Sequence, residues 1–352
     1  MFGNNNVLIV FIVSYAVALI IFWFLLKQSG KYSLRKANIS AIRFRSQTKP
    51  VSGGIGLFIM TLFTGILFSY ILNKNSGFSP HQVSIGFALI IAFFSGLLDD
   101  IINVSPLIKF ISQVLIGIIC IQSGIIIHIT DIEMVNISFT ILWIVGIMNS
   151  INMLDNMDAV TAVTSVGILL GIGGINVIMQ SDAGDHYYIS IILASLVAFL
   201  YFNWPTAKMY MGDNGSQFMG ALLAIYSIIY IWNPSGEITG SFMGIKPFIV
   251  VFLAFLIPIT DTFTVTVNRL LKGGSPFVGG RDHSTHFLFY RGLSEKSIAA
   301  LFLFVSIGMN MIAMLLATGI LGLSHPISIV SIILAVSYFL AAYINTRITK
   351  VP

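Results

Sequence analysis

Four short stretches of this 352-residue chain gather the residue types that could do chemistry. "FSGLLDDIINVSP" sets Asp99 beside Asp100, "NSINMLDNMDAV" holds Asn149, Asn152, Asp155, Asn156 and Asp158, "YMGDNGSQFMG" holds Asp213 among three glycines, and "GGRDHSTHFLFYRGL" holds Arg281, His283, His286 and Arg291. Two adjacent acids where a helix ends repel its partial negative charge and each other, so a cation is expected there. Asn149, Asn152 and Asn156 are three and four apart and share one helical face. Asp213 stands where a helix begins. It could serve only as an N-cap, but a helix start also draws anions such as phosphate, and an acid beside an anion site makes sense if a divalent metal bridges them. The His-x-x-His pair lacks the glutamate of a zinc protease, whereas a glycine-rich basic loop suits a diphosphate or sugar phosphate. Taken singly, each stretch also has a bland reading: a solvated helix end, a cap, or a plain basic loop.

The elements that must position them are membrane helices. The composition is 57% hydrophobic and 9% charged, against about 25% charged for a soluble domain, and the mean hydropathy is +0.94. An all-α, polytopic integral membrane protein is expected, with one domain over residues 1–352. A bilayer core takes about 20 apolar residues of helix. Eleven segments qualify: 7–26, 51–72, 82–98, 107–128, 137–153, 160–180, 187–203, 215–232, 247–267, 299–319 and 326–345. The "MFGNNN" start has no positive charge before the apolar run and no cleavage site, so the first segment reads as a retained span. Eleven spans put the termini on opposite sides. With the N-terminus outside and the C-terminus cytoplasmic, all of the 18 Lys and Arg residues except Lys74 and Lys246 fall on the cytoplasmic side. The net charge of +5 is then a surface facing anionic lipid, and nothing points to nucleic acid. The lone Cys120 forms no intrachain disulfide.

This topology brings all four stretches to one face. Acids, amides and bases together at a membrane edge describe a site for Mg²⁺ and phosphates, because Mg²⁺ is usually held by one or two carboxylates plus substrate oxygens and water. A site at the mouth of an apolar bundle suits a substrate that is itself a lipid. A transporter is the rival class, with Asp261 inside the ninth span as its proton or cation step. No inverted repeat supports it. A scaffold that has lost catalysis is the third.

From Lys49 to Arg291 the chain resembles the polyprenyl-phosphate N-acetylhexosamine-1-phosphate transferases, whose members include the WecA-type and TagO-type enzymes, with MraY a relative. The resemblance is carried in order by "KPVSGGIG", "GLLDD", "NSINMLDNMDAV", "FNWPTAKMYMGDNGSQFMG", "PITDTFTVTVNRL" and "GGRDHSTHFLFYRGL". It implies transfer of a sugar 1-phosphate from a UDP-sugar to polyprenyl (undecaprenyl) phosphate, with release of UMP and with Mg²⁺, or Mn²⁺ in its place. It also implies ten or eleven helices, a cytoplasmic site and a bacterial plasma membrane, and it allows a homodimer. N-acetylglucosamine is the default sugar. On this resemblance Asp99 and Asp100 match the acidic pair that orients the lipid phosphate or accepts its proton, and Asp213, with Asp99 alongside, the metal-binding position. Asp155, Asp158 and Asn152 match the nucleotide-binding group, and Tyr210 the aromatic that stacks on uracil. Lys49 and Lys109 match phosphate-binding bases, and Arg281, His283 and His286 the loop near the sugar diphosphate. The family commonly reads Asp-Gly-x-Asp-Gly where this chain has Asp155-Asn156-Met157-Asp158-Ala159, and an adjacent His pair where it has His286-Phe287. The run of histidines typical of MraY is absent, which points away from a muramoyl-pentapeptide substrate.

Overall fold

The computed structural model describes residues 4–28, 49–72, 79–181, 183–233, 244–275 and 280–349. Most of the basic loop between the first two spans, together with Lys74 and Lys350, lies outside these residues. The described elements are all helical: α1 (Asn4–Gln28), α2 (Gly53–Leu72), α3 (Pro80–Ile102), α4 (Pro106–Gln122), α5 (Glu133–Leu154), α6 (Val160–Met179), α7 (Ala183–Asn203), α8 (Gly212–Ser227), α9 (Ile245–Ala254), α10 (Leu256–Leu271), α11 (Ser284–Tyr290), α12 (Glu295–Ala317) and α13 (Pro326–Ile348). A five-residue π turn, Ile228–Trp232, continues α8. Eight helices are long and apolar enough to cross a membrane, or nine if α9 and α10 are one span; Gly53–Phe63 and α4 are shorter apolar helices. Each of the eleven expected segments holds a helix, though the fourth, expected over 107–128, ends at Gln122, and the count by length among the described residues is eight or nine.

The ninth segment differs most from expectation. It is not one straight span but α9 and α10, bent by 84° at Phe255. Pro258 has no N–H to give the Ala254 carbonyl four residues back, and the Asn310 amide of α12 donates to that carbonyl instead, at 3.1 Å. Ser150 of α5 donates to the Pro258 carbonyl at 2.8 Å. A side chain of a neighbouring helix, Asn310, thus satisfies the carbonyl the break leaves free, the condition for a break at membrane depth.

α8 is the axis of the bundle. α2, α3 and α5 pack against it, while α1 lies on α7 and α12 on α6 and α9. Every residue of α8 is buried except Asp213. The Phe58 ring of α2 stacks on Phe93 of α3 with centroids 3.8 Å apart, and meets Phe218 of α8 edge-on at 5.8 Å. One turn before the acidic pair, Gly96 of α3 lies against the α8 backbone: a Cβ there would come within 2.7 Å of Asn214 Cα and closer still to the Asp213 carbonyl. That close crossing is what sets the end of α3 beside the start of α8.

Candidate active site

α7 stops at Asn203, two residues before Pro205, as a proline requires. The chain then returns to the bundle along residues 50–54, with Tyr210 N–H donating to Pro50 O at 2.9 Å, Gly53 N–H to Tyr210 O at 3.0 Å and Gly54 N–H to Met211 O at 2.9 Å. Gly212 turns into α8 at φ +80°, where a Cβ would strike Val51 and lie 2.9 Å from an Asp100 oxygen. Met211 holds the N-cap position of α8 and Asp213 stands in its first turn, so Asp213 is not the cap.

Asp99 and Asp100 end α3 and are 4% and 5% exposed. They have separate partners. Asp99 Oδ1 accepts from Val104 N–H at 2.8 Å, just past the left-handed Asn103 that closes the helix, and Asp99 Oδ2 pairs with Lys109 of α4. Asp100 accepts from the N–H groups of Asp213 and Asn214 at 3.2 and 2.9 Å and from the Asn214 amide at 2.7 Å. The repulsion expected of adjacent acids is thus relieved by the protein's own groups: a lysine for one, a helix N-terminus for the other. Asp213 lies 3.7 Å from Lys109 Nζ, keeps a quarter of its side chain exposed, and interacts with Asp99. Asp99, Lys109 and Asp213 form one cluster, with Asp100 as the brace that joins α3 to α8.

One turn deeper is a layer of amides. Gln113 donates to Asn149 at 3.2 Å and to Gln217 at 3.1 Å, and Asn149 donates back to Gln113 at 2.9 Å. Ser216 donates to Asn152 Oδ1 at 2.7 Å. Asp155 caps the end of α5, and Asp158 Oδ2 accepts from Ala207 N–H at 2.8 Å. Lys49 Nζ stands 5.5 Å over the Tyr210 ring. Two groups expected to meet substrate therefore meet each other.

The basic loop is organised by Asp261, whose place inside the ninth segment suggests by itself only a proton or cation step. It is 1% exposed. Its Oδ2 lies 2.8 Å from His283 Nδ1, and its Oδ1 accepts from Ser284 N–H and Oγ–H at 2.7 and 2.6 Å. Asp261 thereby anchors the first turn of α11. His286 is buried, and that burial, followed by the neighbouring His283, pushes its pKa down to about 4. It is a neutral hydrogen-bonding group at pH 7. Asp282 is also partly buried, which would raise its pKa, but the Arg269 guanidinium overcomes this with two bonds of 2.8 and 2.7 Å and holds the carboxyl below its ordinary range. Arg281 is exposed at the rim, where its carbonyl accepts from Tyr290 at 3.4 Å. Among the described residues no three His, Cys, Asp or Glu side chains converge as metal ligands. The partnership of Asp261 with His283 and the capping role of Asp100 carry no spacing signal, since each joins positions far apart in the chain.

Residues 82–231, which span the acidic pair, the amide face and the start of α8, match the model of glycosyl transferase family 4. The matched stretch is similar to that family across less than half of the chain's length. Among similar proteins, a protein of Bacillus subtilis named "Probable undecaprenyl-phosphate N-acetylglucosaminyl 1-phosphate transferase" is 26% identical over 259 residues, covering 70% of this chain and 67% of the relative. A decaprenyl-phosphate N-acetylglucosaminephosphotransferase of Mycolicibacterium smegmatis is 28% identical over 288 residues, covering 74% and 70%. An undecaprenyl-phosphate alpha-N-acetylglucosaminyl 1-phosphate transferase of Thermotoga maritima is 24% identical over 266 residues, covering 75% and 76%. The family 4 resemblance read from the motifs is thus met by the comparisons.

Proposed function

We propose that this chain transfers N-acetylglucosamine 1-phosphate from UDP-N-acetylglucosamine to undecaprenyl phosphate and releases UMP, the first step in building a lipid-linked cell-envelope polysaccharide. The names of the three relatives support the reaction class. The observation that carries it in this chain is the Asp99–Lys109–Asp213 cluster, set at the start of the most buried helix of an apolar bundle. The fuller topology goes with it: eleven spans, N-terminus outside, and the site on the cytoplasmic face of a bacterial plasma membrane.

In the reaction, an oxygen of the lipid phosphate forms a bond to the sugar-bearing phosphorus while that phosphorus loses its bond to the UMP oxygen. One phosphoanhydride replaces another, so the step is close to equilibrium. Two anions must meet, and neutralising their charge is the main task. Lys109 gives a fixed positive charge between the two acids. Asp99 keeps that lysine in place, and Asp100 fixes the start of α8 and with it the position of Asp213. The lipid phosphate is already ionised at pH 7, so its attack requires no base. Asn152, Asp155 and Asp158 would hold the nucleotide, and Arg281 and His283 the diphosphate.

Mg²⁺, or Mn²⁺ in its place, is the metal the resemblance implies. The residues fit it: Asp213 offers a part-exposed carboxylate with Asp99 beside it, and Mg²⁺ takes one or two carboxylates and completes its shell with water and substrate oxygens. When bound it supplies neutralising charge to the diphosphate.

Purified protein in detergent, given undecaprenyl phosphate and a set of UDP-sugars, tests the proposal. UMP release that needs the lipid, prefers UDP-N-acetylglucosamine, stops with EDTA and is lost in Asp213→Asn is the expected result. No release with any UDP-sugar from folded protein overturns it.

A further inference from the structure

Asn156 and Thr285 stand 129 positions apart, yet the Thr285 hydroxyl donates to Asn156 Oδ1 at 2.6 Å. Both partners are held from behind. The Asn156 amide donates to Met153 O at 3.0 Å, which fixes its orientation. Thr285 is fully buried in the first turn of α11, next to Ser284, which Asp261 grips twice. The bond therefore ties the 155–158 loop, itself pinned through Asp158 to Ala207, to the turn that carries His283. A glycine, as the family commonly has where Asn156 stands, has no side chain to make this tie.

We propose that the Asn156–Thr285 bond is a positioning contact that sets the distance between the two loops gripping the sugar nucleotide, leaving the lipid side of the site untouched. This rests on the function proposed above. Neither residue needs to touch substrate. The bond acts through Asp155 and Asp158 on one side and His283 on the other, so its effect falls on one substrate only.

The test is steady-state kinetics with UDP-N-acetylglucosamine and undecaprenyl phosphate varied separately, on wild type, Thr285→Val, Thr285→Ser, Asn156→Ala and the Asn156→Ala/Thr285→Val double variant. A hydrogen bond of ordinary strength predicts that Thr285→Val and Asn156→Ala each raise the KM for the UDP-sugar about 3- to 10-fold. The double variant is expected to do no more than the larger single change, because both remove the same bond. Thr285→Ser, which keeps the hydroxyl, stays near wild type, and the KM for the lipid is unmoved throughout. A UDP-sugar KM unchanged in the single variants, or multiplied in the double, overturns the contact. So does a lipid KM that rises in parallel. If Thr285→Val does not fold, half-buried Asn156→Ala gives the reading alone. A wild type that releases no UMP overturns the proposed function and this contact with it, whereas an active wild type with unmoved variants overturns the contact only.

Discussion

Asp100 at the end of α3 accepts from the backbone N–H of Asp213 and so caps the helix on which Asp213 rides. Two acids that the motifs present as parallel members of one site therefore differ in kind. One is buried and used up by α8. The other keeps a quarter of its surface open beside Lys109.

Asp100→Asn and Asp213→Asn should then fail in different ways. Asp100→Asn swaps a charged acceptor for an amide against helix N–H groups and is expected to cost about 1–2 kcal/mol of stability, along with activity. Asp213→Asn should leave the melting temperature close to wild type while UMP release falls about 10²- to 10³-fold. Thermal melting in detergent beside kinetics separates them. An Asp100→Asn protein that melts like wild type sinks the distinction.

Lys109 is the cation shared by Asp99 and Asp213, and its removal leaves two acids facing each other with the phosphates still to come. Lys109→Met is expected to lower kcat/KM for the lipid phosphate by about 10²-fold, with Lys109→Arg retaining at least ten times more because its charge remains. Equal loss in both variants would mean that the length of the lysine, and not its charge, is what the site uses.

Much of this was legible in the chain. Each apolar run holds a helix because about 20 consecutive apolar residues have few other stable forms in a bilayer, and Asp99, Asp100, Asp155 and Asp213 fell near helix ends, with Asp261, paired with His283, the exception. The pairing of those acids was not legible. Asp100 with Asn214 and Asp261 with His283 join positions 114 and 22 residues apart, and nothing in local spacing distinguishes an acid that caps a distant helix from one that waits for a metal. The bend at Phe255 had a clue in Pro258, but the partner that makes it tolerable, Asn310, comes from another helix. The helix α11, only seven residues long, lay hidden in what read as a glycine-rich loop.

Ala159 starts α6 at φ +68°, with its N–H donating to Asn203 at 3.0 Å. This is where the family commonly places glycine, and the left-handed backbone explains why, since a Cβ costs about 1–2 kcal/mol there. Ala159→Gly is expected to be neutral or to stabilise by up to about 1 kcal/mol, the gain being offset by the freer unfolded chain. Ala159→Val, branched at Cβ, should destabilise clearly. Melting curves of the two variants decide it, and an Ala159→Gly protein markedly less stable than wild type would show that the methyl packs better than it strains.

His286 is neutral in the folded protein with a pKa near 4, against 6.5 for an ordinary histidine. Acid therefore protonates the unfolded chain first. The stability tied to this residue is complete above about pH 6.5 and declines as the pH falls from there to about 4. His286→Gln is expected to flatten the fall in melting temperature across that window while leaving the curve above pH 7 unchanged in shape. A variant that tracks wild type from pH 6.5 to 4 would show that another group titrates.

Because α8 is surrounded on every side and exposes only Asp213, it has no face to offer to lipid. Its first turns also carry Asp213, Asn214, Ser216 and Gln217, groups that hydrocarbon would not accept alone. Although α8 with its π turn is long and apolar enough to cross a membrane, its first turns are polar. It is at home only once α2, α3 and α5 are there to enclose it, with the carboxylate of Asp100 waiting at its first turn. The packing that encloses this helix is also what builds the acidic cluster.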